Sequence, residues 1–388
     1  MRASTDISKV RLLGWLLGLV ALCCFDLALF RENRLLAGQG LTVWQLPVPS
    51  VSLMLTALWL ALLPGCLASG RGPRIFGLVS AVILLPGVLL AVGQSAGQIL
   101  QDAPPGARVS LGAGFWVCCF SLLIIGSDLC RSLPRPWLWK QATLAAAGGL
   151  LAWILLGGAV DQLSLMIELS QRRERFVQEM VNHLGITGLS VSASALVGLP
   201  LGFCLFRFPR LRQKVMPVLS SIQTIPSLAL FGLLIAPLAL LVTHMPFLER
   251  LGIHGIGWAP AVIALALYAL LPIVHNTQAG FASVGPAAIE AGQGIGMNRF
   301  QLLLFVQLPL ALPVIFNGLR IASVQNIGNT AVAALIGAGG FGAFIFQGMG
   351  QAAVDLILLG ALPTIGIAVV ADWIWQILIG CFQTGGRS

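Results

Sequence analysis

Charged side chains are scarce in this chain: Asp, Glu, Lys and Arg make up 9% of its 388 residues, whereas hydrophobic residues make up 57%. A soluble domain carries about a quarter of its residues as charged ones, so this composition excludes a soluble protein and predicts a polytopic membrane protein. The net charge of +9 does not indicate nucleic acid binding, because one Tyr and three Lys residues offer little for stacking bases or gripping phosphates.

Residue patterns typical of enzymes and metal sites are also missing. The eight cysteines include no CxxC pair, and the four histidines have no Cys or carboxylate at ligand spacing, so we expect no metal, no cofactor and no catalytic triad. A phosphate-binding P-loop needs Gly directly before Lys, whereas Lys9, Lys140 and Lys214 follow Ser, Trp and Gln. We therefore expect a chain that is not an enzyme and does not hydrolyse ATP itself.

Long apolar runs are what the sequence has instead, and about 20 such residues cross a bilayer as a helix. They predict an all-α polytopic membrane protein of about ten transmembrane helices, divided by a polar stretch at residues 168–185 into an N-terminal region, 1–170, and a second region, 171–388. The first run is followed by Arg31 rather than by a small-residue cleavage site, so we expect it to be a retained helix. The ten predicted spans are 12–30, 51–69, 75–93, 110–128, 141–160, 185–206, 217–242, 257–279, 306–325 and 354–379.

The distribution of Lys and Arg between the loops predicts the orientation. Roughly twice as many fall on the side that holds both termini as on the other, and the positive-inside rule makes that side the cytoplasm. Residues 330–350 are apolar enough to cross, but Gly337, Gly339, Gly340 and Gly342 weaken a helix there. We expect a re-entrant or outer-face segment; if it crossed, the C-terminus would change sides. The GxGxxG spacing of these glycines follows no strand, so packing is the favoured interpretation.

One patterned polar segment interrupts the apolar runs of the second region, EAGQGIGMNRFQLLLFVQLP at residues 290–309. Ala291 and Gly292 would leave a helix face with almost no side chain, so that another protein can approach closely, and Gly296 permits a turn. Pro309 removes a backbone donor near the start of the next membrane helix. The segment predicts a two-part helix at the membrane surface.

This segment resembles the EAA signature of the permease subunits of ABC importers, EAAxxxG followed by nine residues and IxLP. Gly292 replaces the third-position alanine and Val306 replaces isoleucine. The resemblance implies a five-helix type I ABC permease core in the second region and a cytoplasmic coupling loop at 283–305 that docks on an ATPase subunit. The coupling residues implied are Glu290, Ala291, Gly292, Gly296, Leu308 and Pro309.

Two further segments, 206–234 and 328–349, are similar to permeases for glycine betaine, choline and related osmoprotectants. The first five spans resemble only the extension of the long, Yeh-type members, and their role is not readable. The resemblance implies uptake of a small osmoprotectant across the bacterial inner membrane, with both termini cytoplasmic. The implied partners are two cytoplasmic ATP-binding subunits, a second permease (another copy or a shorter chain) and an extracytoplasmic substrate-binding protein.

Polar residues inside the predicted spans suggest a translocation path. Gln223, Thr224, Ser227 and Asn326 are hypothesised to line it, with Pro226 breaking its helix and freeing carbonyl groups toward it. Hydrogen bonding between helices is an equally good interpretation of these residues.

Arg320 is the one cation placed within a predicted span, and an unpaired arginine there would cost about 2.5 to 3.5 kcal/mol on insertion scales. We expect an ion pair with Asp355, at the start of the last span. Asp26, Asp128 and Asp372 lie toward span ends, where solvation at the interface is the expectation.

Three other functions remain open from the sequence. An ABC permease for another small solute, such as an amino acid, would share the loop. An ion-coupled secondary transporter would need an internal repeat and an intramembrane carboxylate, and neither is evident. A channel or membrane scaffold would not need the cytoplasmic motif.

Overall fold

The structure is a computed structural model that describes residues 9–33, 38–68, 70–250 and 252–383. It divides into two compact units, unit 1 (Met1–Gln171) and unit 2 (Arg172–Ser388). The two termini, for which the sequence predicts a cytoplasmic location, fall at residues 1–8 and 384–388, outside the described residues.

Unit 1 is built from helices with one small sheet. Its helices are α1 (Lys9–Cys24), α2 (Pro49–Ala61), α3 (Leu63–Leu67), α4 (Arg71–Ile99), α5 (Ala113–Ser132), α6 (Pro136–Leu156) and α7 (Ser164–Gln171). Its strands are β1 (Ala28–Arg31), β2 (Gln39–Leu41) and β3 (Arg108–Leu111).

The sheet corrects the first predicted span. Its strand order is β2-β1-β3, both pairs are antiparallel, and Ala28 lies opposite Leu41 on one side and Leu111 on the other. The apolar run does not continue as a helix to residue 30, because the backbone groups of β1 find partners in the two neighbouring strands. Apolarity alone does not distinguish such a buried central strand from a helix end.

Two pairs of side chains fasten α1 to its neighbours in unit 1. The indole N–H groups of Trp15 and Trp59 each donate to the other residue's carbonyl oxygen, at 2.9 and 3.1 Å. Arg11 Nε lies 2.7 Å from Asp128 Oδ2 of α5, and the Arg11 side chain is nearly buried. Asp128 is thus held in an ion pair, not solvated at the interface as the sequence suggested.

Unit 2 contains the two longest described helices, Arg173–Arg207 and Val354–Gln383, with 35 and 30 residues. Its helices are α8 (Arg173–Arg207), α9 (Pro209–Thr224), α10 (Ser227–His244), α11 (Phe247–Arg250), α12 (Trp258–Ala282), α13 (Pro286–Gly294), α14 (Arg299–Leu302), α15 (Leu308–Ala333), α16 (Gly342–Gly350) and α17 (Val354–Gln383), with a π-helical turn at Leu303–Gln307.

Nine helices among the described residues are long and apolar enough to cross a membrane, and α1, with 16 residues, is a shorter apolar helix. The expected class, a helical polytopic protein of about ten spans, is confirmed. Two boundaries differ from the prediction by ten residues or more. The seventh span begins at Ser227, because the chain breaks at Ile225–Pro226, and the polar residues from 173 onward form the first turns of α8.

The centre of unit 2 is formed where α8 packs against α12 and α15. Buried small and polar residues line this face of α8 at helical spacing, and they are His183, Thr187, Ser190, Ser194, Gly198 and Gly202. A side chain at Gly202 would collide with Thr277 of α12, at 2.6 Å from its Cβ. Small residues of this kind allow membrane helices to approach closely.

Candidate functional site

The segment between α12 and α15 folds as a compact hairpin, defined here as the coupling hairpin, residues 283–309. The turn after α13 is a Schellman motif: Met297 N donates to Gly292 O (3.1 Å) and Gly296 N donates to Gln293 O (2.9 Å). Gly296 has φ +84°, a left-handed conformation that favours glycine. Asn298 then caps α14, its side chain accepting from Gln301 N at 2.9 Å. The predicted two-part helix and the turn at Gly296 are both present.

Gly292 has a different position from the one that the sequence suggested. It is buried, and a Cβ added to it would lie 2.6 Å from Leu302 Cδ1 and 3.6 Å from Val306 Cγ2. The small residue therefore allows α13 to pack on the returning arm of the hairpin. Gly292 does not belong to an open face in this structure; Glu290 and Ala291 remain exposed.

The hairpin also presents apolar side chains that the sequence analysis missed. Ile295 is 76% exposed at the turn, between Gly294 and Gly296, and Phe300 is 70% exposed on α14. The available signal was an isolated large apolar residue between two glycines in a polar loop. Exposed apolar residues next to a carboxylate form a surface suited to a protein partner.

Leu308 and Pro309 lie where the hairpin enters α15. Pro309 is in the first turn of that helix, as expected, and cannot donate to the carbonyl group of Phe305. The preceding turn widens to a π-helix, in which Leu308 N donates to Leu303 O, five residues back, rather than to Leu304 O. Leu308 packs with the cluster around Phe281 and Ala311, so it anchors the hairpin.

The break between α9 and α10 is fastened to α12 by a reciprocal pair of hydrogen bonds. Tyr268 OH donates to Ile225 O (2.5 Å), and Gln223 Nε2 donates to Tyr268 O (2.9 Å). Both carbonyl oxygens lack a helical donor: the chain breaks at Pro226, and Pro272 of α12 has no N–H for Tyr268 O. The helix break at Pro226 is as expected, but the carbonyl group of Ile225 is bound by Tyr268.

The other residues hypothesised for a path lie in different surroundings. Thr224 and Pro226 are exposed at the break, and Ser227 is half-buried. Asn326 is fully buried in α15, where its side-chain amide donates to Ser190 Oγ (2.9 Å) and to Leu265 O (3.1 Å). The structure therefore gives Asn326 the alternative role, a hydrogen bond between helices, and it does not line an open path here.

The expected Arg320–Asp355 ion pair is wrong. Arg320 Nε lies 2.5 Å from Asp372 Oδ1, with about a third of each side chain exposed. Helices α15 and α17 run in opposite directions, because Phe316, one turn before Arg320, contacts Phe382, ten residues after Asp372 (ring centroids 5.3 Å apart). Asp355 begins α17, 17 residues before Asp372, which is about 25 Å along a helix.

The glycine-rich segment after α15 forms a turn that docks on α8. Gly340, at φ +84°, donates its N–H to Glu179 Oε2 at 2.7 Å, and Phe341 N donates to His183 Nδ1 at 3.4 Å. Helix α16 has nine residues, about 14 Å, less than half of a bilayer core of about 30 Å. These contacts agree with the interpretation that the glycines allow close packing. Helix α16 is too short to cross the membrane by itself.

Two family models match the chain. Residues 7–166 match "ABC transporter permease YehY, N-terminal domain", and residues 194–379 match "Binding-protein-dependent transport system inner membrane component". The two matches fall on either side of the polar stretch that divides the predicted regions.

Curated relatives match about half of this chain. Over 192 residues it is 43% identical to the osmoprotectant import permease protein OsmW of Salmonella typhimurium, covering 50% of this chain and 84% of that protein. It is 39% identical over 204 residues to the glycine betaine/carnitine/choline transport system permease protein OpuCD of Bacillus subtilis, covering 52% and 82%.

The coupling hairpin between membrane helices and these matches define a permease subunit of an ABC importer, a multi-pass protein of the inner membrane. The chain belongs to the family of binding-protein-dependent transport permeases, and its first half places it with the long members that carry a YehY-type N-terminal domain. The resemblance stated from residues 290–309 is confirmed. A permease of this family works with ATP-binding subunits and a substrate-binding protein, so ATP is hydrolysed on another chain.

Proposed function

We propose that this permease moves a small osmoprotectant, such as glycine betaine or choline, into the cytoplasm. The observation that carries the proposal is the 43% identity to a protein named for osmoprotectant import, over 84% of that protein's length. The second relative, named for glycine betaine, carnitine and choline, supports the same substrate class.

The coupling hairpin is the proposed docking element for the ATP-binding subunit. Glu290 and Ala291 offer an exposed polar and small surface, and Ile295 adds an apolar side chain at the turn. Four other residues act indirectly in this proposal, because they determine how the hairpin folds and how it is anchored: Gly292, Gly296, Leu308 and Pro309. An exposed apolar residue at the centre of a small contact is the usual anchor of a protein interface.

One hairpin per chain implies one docking site per chain. We therefore propose an assembly with two cytoplasmic ATP-binding subunits, a second permease and an extracytoplasmic binding protein. The second permease is either another copy of this chain or a shorter one with its own hairpin. Cross-linking of the purified complex followed by intact mass measurement would distinguish these compositions; an assembly with a single ATP-binding subunit would contradict the proposal.

We propose the orientation in the membrane that this assembly requires. The hairpin has to reach a cytoplasmic ATPase, so α12 ends and α15 begins on the cytoplasmic side, as the excess of basic loop residues on that side supports. Both termini are then cytoplasmic. The test fuses, after Ser388, a reporter enzyme that works only outside the cytoplasm. Activity of this reporter would contradict the proposed orientation.

We propose that the break at Ile225–Pro226 faces the translocation path, with Thr224, Pro226 and Ser227 on its surface. Cysteine at Thr224 or Ser227, in a chain whose eight native cysteines are replaced by serine, should react with a water-soluble thiol reagent during transport. Cysteine at Leu233, 62% exposed and on another side of α10, is the lipid-facing control. Equal labelling at all three positions would contradict a path at the break.

Uptake into proteoliposomes tests the substrate and the mechanism together. The chain, its ATP-binding subunit, a second permease if required and the binding protein are reconstituted, and labelled glycine betaine uptake is measured with and without ATP on the hairpin side. The proposal expects uptake that requires both ATP and the binding protein. ATP-dependent transport of a different solute alone would overturn the substrate; uptake without ATP would overturn the importer mechanism.

A further inference from the structure

The helices α4, α5 and α6 enclose a groove of about 420 Å³ in unit 1, the unit that contains neither the coupling hairpin nor the helix break at Pro226. Pockets that hold a small molecule usually measure about 300 to 1,000 Å³. Its walls are mostly apolar, with Leu78 and Leu85 from α4, Leu122 from α5 and Leu144 from α6. The groove is therefore large and apolar enough to hold a hydrocarbon chain.

The charge of the groove is confined to one end. Arg131, at the last turn of α5, and Lys140, in the first turns of α6, both line that end and are exposed. Trp137 lies between them on α6 and is 46% exposed. Basic residues with an adjacent tryptophan are typical of the level of lipid headgroups.

No described acidic residue lines this end of the groove. Asp128, one turn before Arg131 on α5, is held by Arg11 at 2.7 Å. The described residues that line this end of the groove thus include two cations and no anion, a lining that is complementary to an anionic group.

The length of the groove fits one leaflet. On α6 it extends from Pro136, at the helix start, to Ala147, eleven residues or about 16 Å along the helix axis. Half of the hydrocarbon core of a bilayer is about 15 Å. From Lys140 to Ala147 the groove runs about 10 Å along α6, and from Arg131 to Leu122 about 14 Å along α5, so an acyl chain below a phosphate at these cations would stay within one leaflet.

We propose that this groove is a binding site for one anionic phospholipid, with its phosphate at Arg131 and Lys140 and an acyl chain between α4, α5 and α6. The site retains a lipid of this charge in preference to the zwitterionic lipids around it, since each nearby cation adds attraction to an anionic headgroup. It gives the N-terminal unit a ligand that is separate from the transported solute.

Gly126 provides a variant that fills the groove. It lines the groove on α5, and a Cβ added there meets no atom within 4 Å, so Gly126→Leu adds a side chain into the cavity without a backbone clash. Gly148 of α6 is the matched control, since it also has open space within 4 Å but does not line the groove. Both changes insert the same side chain into a helix.

The test is native mass spectrometry of the purified full-length chain in detergent, titrated with phosphatidylglycerol or with phosphatidylcholine. The expected result is one preferred phosphatidylglycerol adduct that is lost in Gly126→Leu and kept in Gly148→Leu. The Arg131→Ala/Lys140→Ala variant should bind phosphatidylglycerol about 30-fold more weakly, roughly fivefold for each cation, with phosphatidylcholine binding unchanged. Arg210→Ala/Lys214→Ala, which removes two exposed cations from α9, should leave binding as it is.

Three results would overturn the proposal: equal retention of both lipids by the unaltered chain, an undiminished adduct in Gly126→Leu, or an undiminished preference in Arg131→Ala/Lys140→Ala. Each would indicate an ordinary lipid shell. If Gly126→Leu does not fold, as judged from its thermal unfolding beside that of Gly148→Leu, the double variant decides alone, because its two side chains are exposed and their loss opens no cavity.

Discussion

The two units hold their buried polar groups in different ways. In unit 1, beside the neutral bonds of Trp15 and Trp59, two buried charged residues are paired: Arg11 with Asp128 (2.7 Å) and Glu168 with Arg108 (2.6 Å). In unit 2 the contacts at the centre are neutral hydrogen bonds between helices, such as Thr187 to Thr330 (2.9 Å). Neutral bonds between membrane helices average about 0.6 kcal/mol, whereas breaking a buried ion pair costs several times more.

Individual contacts of the kind seen at the centre of unit 2 cost less to break than the ion pairs of unit 1. A permease has to exchange helix contacts during each transport cycle, and individually weak bonds can be exchanged at low cost. The coupling hairpin and the helix break at Pro226 both lie in unit 2. Unit 2 thus contains both the elements proposed to act in transport and the individually weaker contacts.

The largest effect is expected at the tightest backbone contact of unit 2. A Cβ at Gly342 would lie 1.7 Å from the carbonyl oxygen of Ala331, and backbone cannot move aside as a side chain can. We expect Gly342→Ala to destabilise the chain by about 4 kcal/mol, measured by thermal unfolding in detergent. Gly350→Ala, in the same helix with open space around it, should change stability by less than about 0.5 kcal/mol. Similar values for the two variants would contradict the packing of α16 on α15.

A direct comparison of the units comes from removing one arginine in each. In the unaltered chain the Arg11 side chain is 5% exposed, so Arg11→Met removes the partner of Asp128 from a nearly buried pair. We expect the free energy of unfolding to fall by about 3 kcal/mol. Arg320→Met breaks a pair whose side chains are 33% and 30% exposed, and we expect a loss of about 1 kcal/mol. Thermal unfolding of the two variants would contradict the comparison if Arg320→Met were the more damaging.

The reciprocal bonds at the helix break should show coupling. Tyr268→Phe leaves the carbonyl group of Ile225 without its donor, and we expect a loss of about 1 to 2 kcal/mol. Gln223→Met acts similarly on the carbonyl group of Tyr268, and the double variant should cost less than the sum of the two. Ser221→Ala, on the exposed side of α9, is the control. Strictly additive losses would show that the two bonds are independent.

The smallest effect is expected on stability at the hairpin surface, where only coupling should suffer. Ile295→Ser removes an exposed side chain, so the unfolding temperature should be unchanged while ATP-dependent uptake falls about tenfold. Met349→Ser, which removes a 60% exposed side chain from α16, should leave uptake as it is. Equal uptake by both variants would place the docking contact elsewhere.

The sequence predicted the features that have local causes. The spacing of residues 290–309 located the hairpin, because a left-handed turn needs glycine at 296 and a helix start tolerates proline at 309. Proline likewise located the break at 226. The sequence did not predict features that depend on contacts between separate elements. Leu302 fills the space at Gly292, and Tyr268 binds the carbonyl group at the helix break. Strand β1 pairs with strands about 10 and about 80 residues away. The predicted partner of Arg320 was wrong, because the sequence does not show at which depth in the membrane two helices meet.

ATP hydrolysis by the reconstituted importer, measured with and without loaded binding protein, reports whether the hairpin couples the permease to its ATPase. Gly296→Val forces a branched residue into the left-handed turn of the hairpin, whereas Gly294→Ala, two residues earlier, meets open space and no positive φ. We predict that the binding protein stimulates hydrolysis in the unaltered and Gly294→Ala importers and not in Gly296→Val, with all three permeases present in the membrane at equal amounts. Full stimulation in Gly296→Val would contradict the claim that this hairpin transmits the signal between the permease and its ATPase.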